Sequence, residues 1–225
     1  MKKNIRFFII GFAFTVIPFI CYANLAPSVP LIDIKAINPE ILVYLVYSTP
    51  DNFTGKDLYG HISTCYLRKE AALKLDKAQQ YLNRLNKGYD LLVYDGLRPR
   101  NVQYTMWDIL KGTTKQKYVA NPKTGSIHNY GVAVDLTITD ENGMPIDMGT
   151  PFDFFGELAQ PRYEAKFLKS GKLTPKQIKN RELLRDVMTH AGFKGISIEW
   201  WHFNAFSIGE CRKRFRMVDK FPVKK

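Results

Sequence analysis

Cysteine and histidine are scarce in this chain of 225 residues, which has three cysteines and four histidines. No Cys-x-x-Cys pair and no finger-like Cys/His spacing occurs, and this excludes a structural zinc site of that kind. No repeat, low-complexity tract or linker rich in proline and serine follows residue 30. The length suits a single hydrophobic core, so we expect one globular domain.

A long hydrophobic run is missing as well, because the apolar stretch at residues 7–20 is shorter than a comfortable membrane span. It follows a short basic segment and precedes a small-residue ending at Ala23, the order typical of a secretory signal. We therefore predict a cleaved signal peptide over residues 1–23 and a mature domain over residues 24–225. The mature protein is then expected to be periplasmic or secreted, without stable membrane insertion. The alternative is a retained N-terminal anchor.

Acidic residues are outnumbered, with 21 Asp and Glu against 33 Lys and Arg and a formal charge of +12. The lysines are dispersed and no nucleic-acid-binding motif is present, so we expect no nucleic-acid partner. The charge is interpreted as solubility plus weak attraction to anionic polymers of the cell envelope. Two cysteines, Cys65 and Cys211, lie beyond the predicted signal; a disulfide between them and two buried thiols are both open.

Three segments have the patterns of helices. Residues 68–88 carry apolar side chains at alternating spacings of four and three, which places one stripe along a helix that ends at Gly88. Residues 100–111 show a similar inward face. Residues 174–192 open with the pattern of a capping box, with proline at the first helical position.

Four segments rich in branched and aromatic residues predict strands, at 41–48, 89–96, 132–138 and 195–203. An Asn-Gly pair within residues 140–145 predicts a hairpin turn. Because helices and strands alternate but the turn signals favour antiparallel pairing, we predict the α+β class. The expected architecture is a single domain with a central antiparallel sheet flanked by helices.

The stretch "SIHNYGVAVDL" at 126–136 places His128 and Asp135 seven positions apart around Gly131. A bend at the glycine lets both side chains face one point. The stretch "EWWHF" at 199–203 adds His202, and the resulting set of two histidines and one carboxylate suits Zn²⁺ with one position left for water. Glu199 then lies near the metal but outside its ligands, where it is able to take a proton from that water.

A third element, "YDGLRPR" at 94–100, ends a predicted strand at a turn. Pro99 restricts Arg98 to extended conformations. A fixed guanidinium at this place is able to hold a substrate carbonyl oxygen as it becomes an oxyanion, and we expect Arg98 to be that electrophile.

These motifs resemble those of the zinc D-alanyl-D-alanine dipeptidases of the VanX type. "SIHNYGVAVDL", "EWWHF" and "DGLRP" match the SxHxxGxAxD, ExWH and DGYRP motifs of that family, with Leu97 replacing the usual aromatic residue. Further stretches follow in the right order, namely "DNFTGKDLYG" at 51–60, "CYLR" at 65–68, "MGTPFDFF" at 148–155 and "FPVK" near the end. The resemblance covers nearly the whole predicted mature chain.

The resemblance implies a role for each matching position. It makes His128, Asp135 and His202 the ligands of one Zn²⁺ at the sheet, Glu199 the general base and then acid, and Arg98 the group that stabilises the transition state. It also implies that Ser126 contacts the substrate and that Asp153 receives the free ammonium of a dipeptide.

The expected partner is therefore a small dipeptide, D-Ala-D-Ala or a close relative, hydrolysed to two free amino acids in the cell envelope. The alternative is a zinc D,D-carboxypeptidase that acts on peptidoglycan stem peptides. No oligomeric state follows from these motifs.

Overall fold

The structure is a computed structural model that describes residues 29–60 and 62–222. The predicted signal at 1–23 lies outside the described residues. The strands are β1 (Leu31–Asp33), β2 (Leu42–Val43), β3 (Tyr66–Arg68), β4 (Asp90–Asp95), β5 (Ala133–Thr139), β6 (Lys194–Gly195) and β7 (His202–Asn204). The helices are α1 (Lys69–Leu85), α2 (Arg100–Ile109), α3 (Glu164–Lys169), α4 (Pro175–His190) and α5 (Ile208–Arg214).

A five-stranded sheet in the order β2-β4-β5-β7-β6 forms the centre of the molecule, and β1 pairs with β3 in a separate two-stranded ribbon. Every residue of β5, the middle strand, is buried. The α+β class is confirmed. The sheet is mixed rather than wholly antiparallel, because β2 runs parallel to β4 while the other three pairs are antiparallel.

Helices α1 and α4 pack against each other, and α1 also contacts β3 and β4. The predicted stripe on α1 is buried as expected, with Leu75 and Leu82 fully covered. The capping box of α4 is also confirmed: Thr174 accepts from the backbone N–H of Gln177, whose side chain accepts from the backbone N–H of Thr174. Each bond satisfies an N–H group that a helix start leaves without an intrahelical partner.

Two of the predicted strands were too long. Within 41–48 only Leu42–Val43 is strand, and a 3₁₀ turn at Val46–Ser48 follows. This turn buries Tyr47, whose backbone carbonyl accepts from the N–H groups of Leu58 and Tyr59. The apolar run therefore reflects burial in a turn rather than in a sheet, two environments that composition alone does not distinguish.

The predicted strand at 195–203 is in fact a hairpin, in which β6 pairs with β7 and residues 196–201 form the connecting loop. The branched and aromatic side chains of this loop are partly or fully buried, which gave the run its strand-like composition. Because Glu199 lies in this loop, it is not paired within the sheet.

Cys65 and Cys211 are both buried free thiols, so the structure has no bridge between them. Across the described ranges, no helix combines the length and the apolar character that a bilayer crossing requires.

Candidate functional site

His128 is placed by a tight turn that precedes β5. It lies in a 3₁₀ turn at Ile127–Tyr130, and Gly131 ends that turn in the left-handed conformation with φ of 71°. Glycine adopts this conformation without the steric cost that a Cβ atom brings. The predicted bend at Gly131 is therefore confirmed, and it turns the His128 ring back toward the sheet.

Asp135 and His202 are direct cross-strand neighbours, since they pair in the register of β5 with β7. Asp95 pairs with Asp135 on the other side, in the register of β4 with β5. Residues opposite each other in antiparallel strands place their side chains on the same face. The sheet therefore brings these three side chains together in one row, beneath His128.

One atom from each of His128, Asp135 and His202 converges on a single point. His128 Nε2 lies 3.1 Å from His202 Nδ1 and 3.4 Å from Asp135 Oδ1, and His202 Nδ1 lies 2.9 Å from the same Asp135 oxygen. Ligand atoms about 2.0–2.1 Å from a tetrahedral zinc ion lie about 3.3 Å from one another. The triangle thus has the dimensions of one face of a zinc coordination shell.

The remaining ring nitrogens fix which atoms carry protons. His128 Nδ1 lies 2.8 Å from the carbonyl oxygen of Gly96, and His202 Nε2 lies 2.9 Å from the amide oxygen of Asn204. Both oxygens only accept, so those nitrogens are the donors and the converging nitrogens present lone pairs. In the neutral imidazoles, two lone pairs face a carboxylate oxygen at contact distance, and these three atoms repel one another unless a proton or a metal cation lies between them. The residues present therefore fit a zinc ion.

Asp135 is ionised in this setting. Burial alone would raise its pKa, but the positive charge and the donated hydrogen bonds that His128 and His202 provide when protonated hold the pKa well below its usual range. A metal cation at the same point acts in the same direction. Ionised carboxylate is the form that binds a metal.

Arg98 lies beside this cluster and is held almost rigidly. Its Nε and Nη2 atoms donate to Asp95 Oδ2 at 2.9 and 2.7 Å, and Nη2 lies 3.4 Å from Asp135 Oδ2. The guanidinium also lies over the ring of Tyr47, 5.1 Å from its centroid. Burial works against the charge, but Asp95 and its neighbours raise the pKa of Arg98 well above its usual value. The group is therefore a permanent cation.

Asp153 lies on the loop between β5 and α3, with a left-handed φ of 59°. The hydroxyl of Tyr47 is 3.1 and 2.9 Å from its two carboxylate oxygens. Burial, followed by the negative charge of Asp135, raises the pKa of Asp153 to about 7 despite this hydrogen bond. A half-buried carboxyl of this kind is stabilised in its ionised form by any cation that enters the cavity.

Glu199 reaches the same cavity from the loop between β6 and β7. Across residues 29–60 and 62–222, no hydrogen bond to its carboxylate is found. Burial raises the pKa of Glu199 to about 7, and the charge of Asp135 adds to this effect while His202 opposes it. A pKa near neutrality suits a group that both accepts and returns a proton.

The cavity has a volume of about 340 Å³ and contains all seven predicted site residues in its lining. They are His128, Asp135, His202, Glu199, Arg98, Ser126 and Asp153. Ser126 has a structural role, because its hydroxyl accepts a hydrogen bond from the backbone N–H of His128 at 3.3 Å. Its predicted contact with substrate stays a prediction.

Sequence reasoning missed four residues that shape the site. Tyr47, Asp95 and Asn204 were not singled out, and neither was Tyr59, whose hydroxyl lies 2.5 Å from Asp95 Oδ1. The available signals were local for two of them, since Asp95 opens the "DGLRP" turn and Asn204 lies two positions after His202. Tyr47 and Tyr59 reach the site only through the tertiary fold.

Comparison with known proteins gives a consistent answer. The family Peptidase M15, described as D-ala-D-ala dipeptidase, matches residues 28–220. Curated relatives named D-alanyl-D-alanine dipeptidase include one from Escherichia coli (strain K12), 35% identical over 80% of this chain and 86% of the relative. Another, from Enterococcus faecalis, is 32% identical over 70% and 82%, and one from Synechocystis is 30% identical over 82% of both chains.

A solved LD-carboxypeptidase structure is 23% identical to this chain, with a TM-score of 0.40 over 68% of this chain and 71% of that one. The family match extends over most of the chain, and the Escherichia coli relative is 35% identical over most of both chains. The chain belongs to the M15 family of metallopeptidases and is an enzyme of its D-ala-D-ala dipeptidase group.

Proposed function

We propose that this protein is a zinc-dependent dipeptidase that hydrolyses D-alanyl-D-alanine, or a closely related small dipeptide, to two free amino acids. The observation that carries the proposal is the convergence of two imidazole lone pairs and one carboxylate oxygen in a cavity that also holds two carboxyls of raised pKa. The names of the relatives support the choice of substrate.

His128, Asp135 and His202 would hold the zinc ion. Bound there, zinc supplies Lewis-acid chemistry, which polarises a carbonyl oxygen and makes water a nucleophile at neutral pH. Glu199 accepts the proton that the water loses and then returns it to the leaving amine. Its free carboxylate and a pKa of about 7 suit both steps.

Arg98 stabilises the negative charge that develops on the carbonyl oxygen. Its bonds to Asp95 fix the guanidinium before the substrate arrives, so little reorganisation is needed during the reaction. Removal of a comparable oxyanion donor costs about 3–4 kcal/mol of transition-state stabilisation.

Asp153 binds the free ammonium of the dipeptide, with Tyr47 holding the carboxylate from the other side. An N-acylated peptide leaves this half-buried carboxylate without a cation, so the site disfavours it. Ser126, at the edge of the cavity, contacts the substrate near the metal.

Asp153 also separates this proposal from its rival, a D,D-carboxypeptidase that trims acylated stem peptides. The test compares hydrolysis of free D-Ala-D-Ala with that of an N-acetylated tripeptide ending in D-Ala-D-Ala. We expect kcat/KM to favour the free dipeptide by at least about 100-fold, as sites with an unpaired buried charge discriminate strongly. A preference for the acetylated tripeptide would establish the carboxypeptidase instead.

We further propose that the enzyme acts in the cell envelope. The support is the signal-like order of residues 1–23, a basic start, a short apolar run and a small-residue ending. Fractionation of expressing cells, with N-terminal sequencing of the mature protein, tests this; an uncleaved chain confined to the cytoplasm would contradict it.

A further inference from the structure

The loop that carries Asp153 has an unusual backbone. Residues 147–158, called here the Asp153 loop, contain no helix and no regular strand until the 3₁₀ turn that begins at Glu157. Asp153 is the one non-glycine residue with positive φ in the described ranges. Such a conformation persists only where the surroundings impose it.

Arg181 of α4 donates hydrogen bonds to the backbone near both ends of this loop. Its Nε atom donates to the carbonyl oxygen of Met148 at 2.7 Å, and its Nη2 atom donates to the carbonyl oxygen of Leu158 at 3.0 Å. The side chain is fully buried, and Nη1 lies 3.3 Å from Glu164. One planar guanidinium thus fixes the separation of two backbone points on either side of Asp153.

Other side chains form hydrogen bonds to the loop at and shortly after its N-terminal end. Gln177 and Asn180, also on α4, donate to the side chain and the carbonyl oxygen of Asp147 at 2.9 and 2.7 Å. Trp200 donates to Thr150 Oγ1 at 2.8 Å. Among the described residues, Arg181 is the side chain that bonds to the backbone at both ends.

Net stability is a poor explanation for this buried cation. Desolvation of a buried guanidinium and carboxylate offsets most of their attraction, so such a pair contributes little to folding free energy. Arg181 instead fixes a distance, because its rigid, planar guanidinium bonds to two carbonyl oxygens at once. A shorter or more flexible side chain would not reach both oxygens.

We propose that Arg181 is a positioning residue for substrate recognition, which sets the span of the Asp153 loop and so holds the Asp153 carboxylate where the dipeptide ammonium binds. This inference rests on the proposed role of Asp153. It assigns a recognition function to a residue on the far side of the loop that does not line the cavity.

The test uses Arg181→Lys, which keeps the positive charge but places its donors at one point, and Arg181→Met as a second variant. The matched control is Arg185→Lys, on the same helix. Arg185 binds the same Glu164 at 2.9 Å, but within the described residues it makes no hydrogen bond to the loop backbone. Zinc content and thermal unfolding are measured for every variant, so that loss of fold is distinguished from loss of recognition.

We expect Arg181→Lys to raise KM for D-Ala-D-Ala about 10-fold while kcat changes less than about threefold. The size is that of weakening one charge-assisted hydrogen bond to the ammonium, an interaction whose complete loss costs about 10- to 100-fold in affinity. Arg185→Lys is expected to leave both constants near those of the parent. An equal rise in KM for the Arg185 control, or a fall in kcat without a rise in KM, would overturn the proposal.

A double-mutant cycle with Asp153→Asn gives the decisive readout. If Arg181 acts through Asp153, then Arg181→Lys raises KM far less in the Asp153→Asn background than in the parent. Fully additive effects would show that Arg181 is merely structural. If instead Asp153→Asn alone leaves KM unchanged, the proposed ammonium site has failed, and that outcome is distinct from a failure at Arg181.

Discussion

The metal cluster and the Asp153 loop meet in one cavity but are built in opposite ways. Asp135 and His202 lie directly opposite each other in a paired sheet, and each histidine has its second nitrogen bonded to an oxygen. Asp153, by contrast, lies in an irregular loop with a strained backbone, fixed by side chains from other elements.

This difference separates metal binding from substrate recognition. Cross-strand register places ligand atoms to within fractions of an ångström, as a metal requires, because backbone pairing leaves little freedom. A loop held by a few side-chain bonds is easier to reshape, so a change there alters which substrate binds and leaves the reaction intact. Substitutions in the two regions should therefore fail in different ways.

The largest expected effect follows removal of a metal ligand. His202→Ala should bind much less than one zinc ion per chain and lose essentially all activity, because two remaining ligands hold zinc poorly. Metal analysis and an activity assay measure this. His190→Ala, a histidine that stacks on Tyr81 outside the cavity, is the control and should behave like the parent. Full activity in zinc-free protein would show that the reaction does not need the metal cluster.

Loss of the base comes next. Glu199→Gln should lower kcat by about 10²–10⁴, because the amide does not accept a proton, while zinc content stays at one per chain. The control is Glu157→Gln, an exposed glutamate that pairs with Lys166. Hydrolysis by Glu199→Gln at the parent rate would refute the assignment of the base.

A smaller effect is expected in the loop, where KM rather than kcat should change. Asp153→Asn should raise KM for D-Ala-D-Ala by about 10- to 100-fold through loss of an ammonium partner. Burial raises the pKa of Asp153 to about 7 in the metal-free cavity, and a zinc ion nearby lowers it from there, so the parent carboxyl becomes neutral only as pH falls below 7. KM of the parent should therefore rise as pH falls below about 7, whereas KM of the variant should not follow this trend. A pH-dependent KM that survives the substitution would assign the titration to another group.

The smallest effect concerns a residue behind the metal. Asn204→Ala removes the acceptor that orients His202, and such changes weaken metal affinity about 10- to 100-fold. Activity at saturating zinc should stay close to the parent value. Competition with a chromophoric chelator measures the affinity; an unchanged value would mean that the sheet alone orients the ring.

The same contrast describes what could be predicted from the sequence. The metal cluster could be predicted because its residues lie in short motifs. Gly131 indicated the bend, and "EWWHF" contained both Glu199 and His202. Helix α4 was accessible too, since Thr174 and Gln177 form a local capping pattern. These signals involve residues a few positions apart.

Contacts between distant segments were not accessible. Nothing near Tyr47 indicates that its hydroxyl meets Asp153, more than a hundred positions later. Nothing near Arg181 indicates a bond to Met148. The predicted strands at 41–48 and 195–203 were too long for a related reason, because their side chains are buried against segments that composition does not reveal.

The most direct test of the account is a crystal structure of the zinc-loaded enzyme with an anomalous difference map at the zinc edge. We predict one strong peak in the cavity, about 2.0–2.2 Å from His128 Nε2, His202 Nδ1 and an Asp135 carboxylate oxygen. A peak bound by other residues, or no peak in protein that is active and contains no metal, would contradict it.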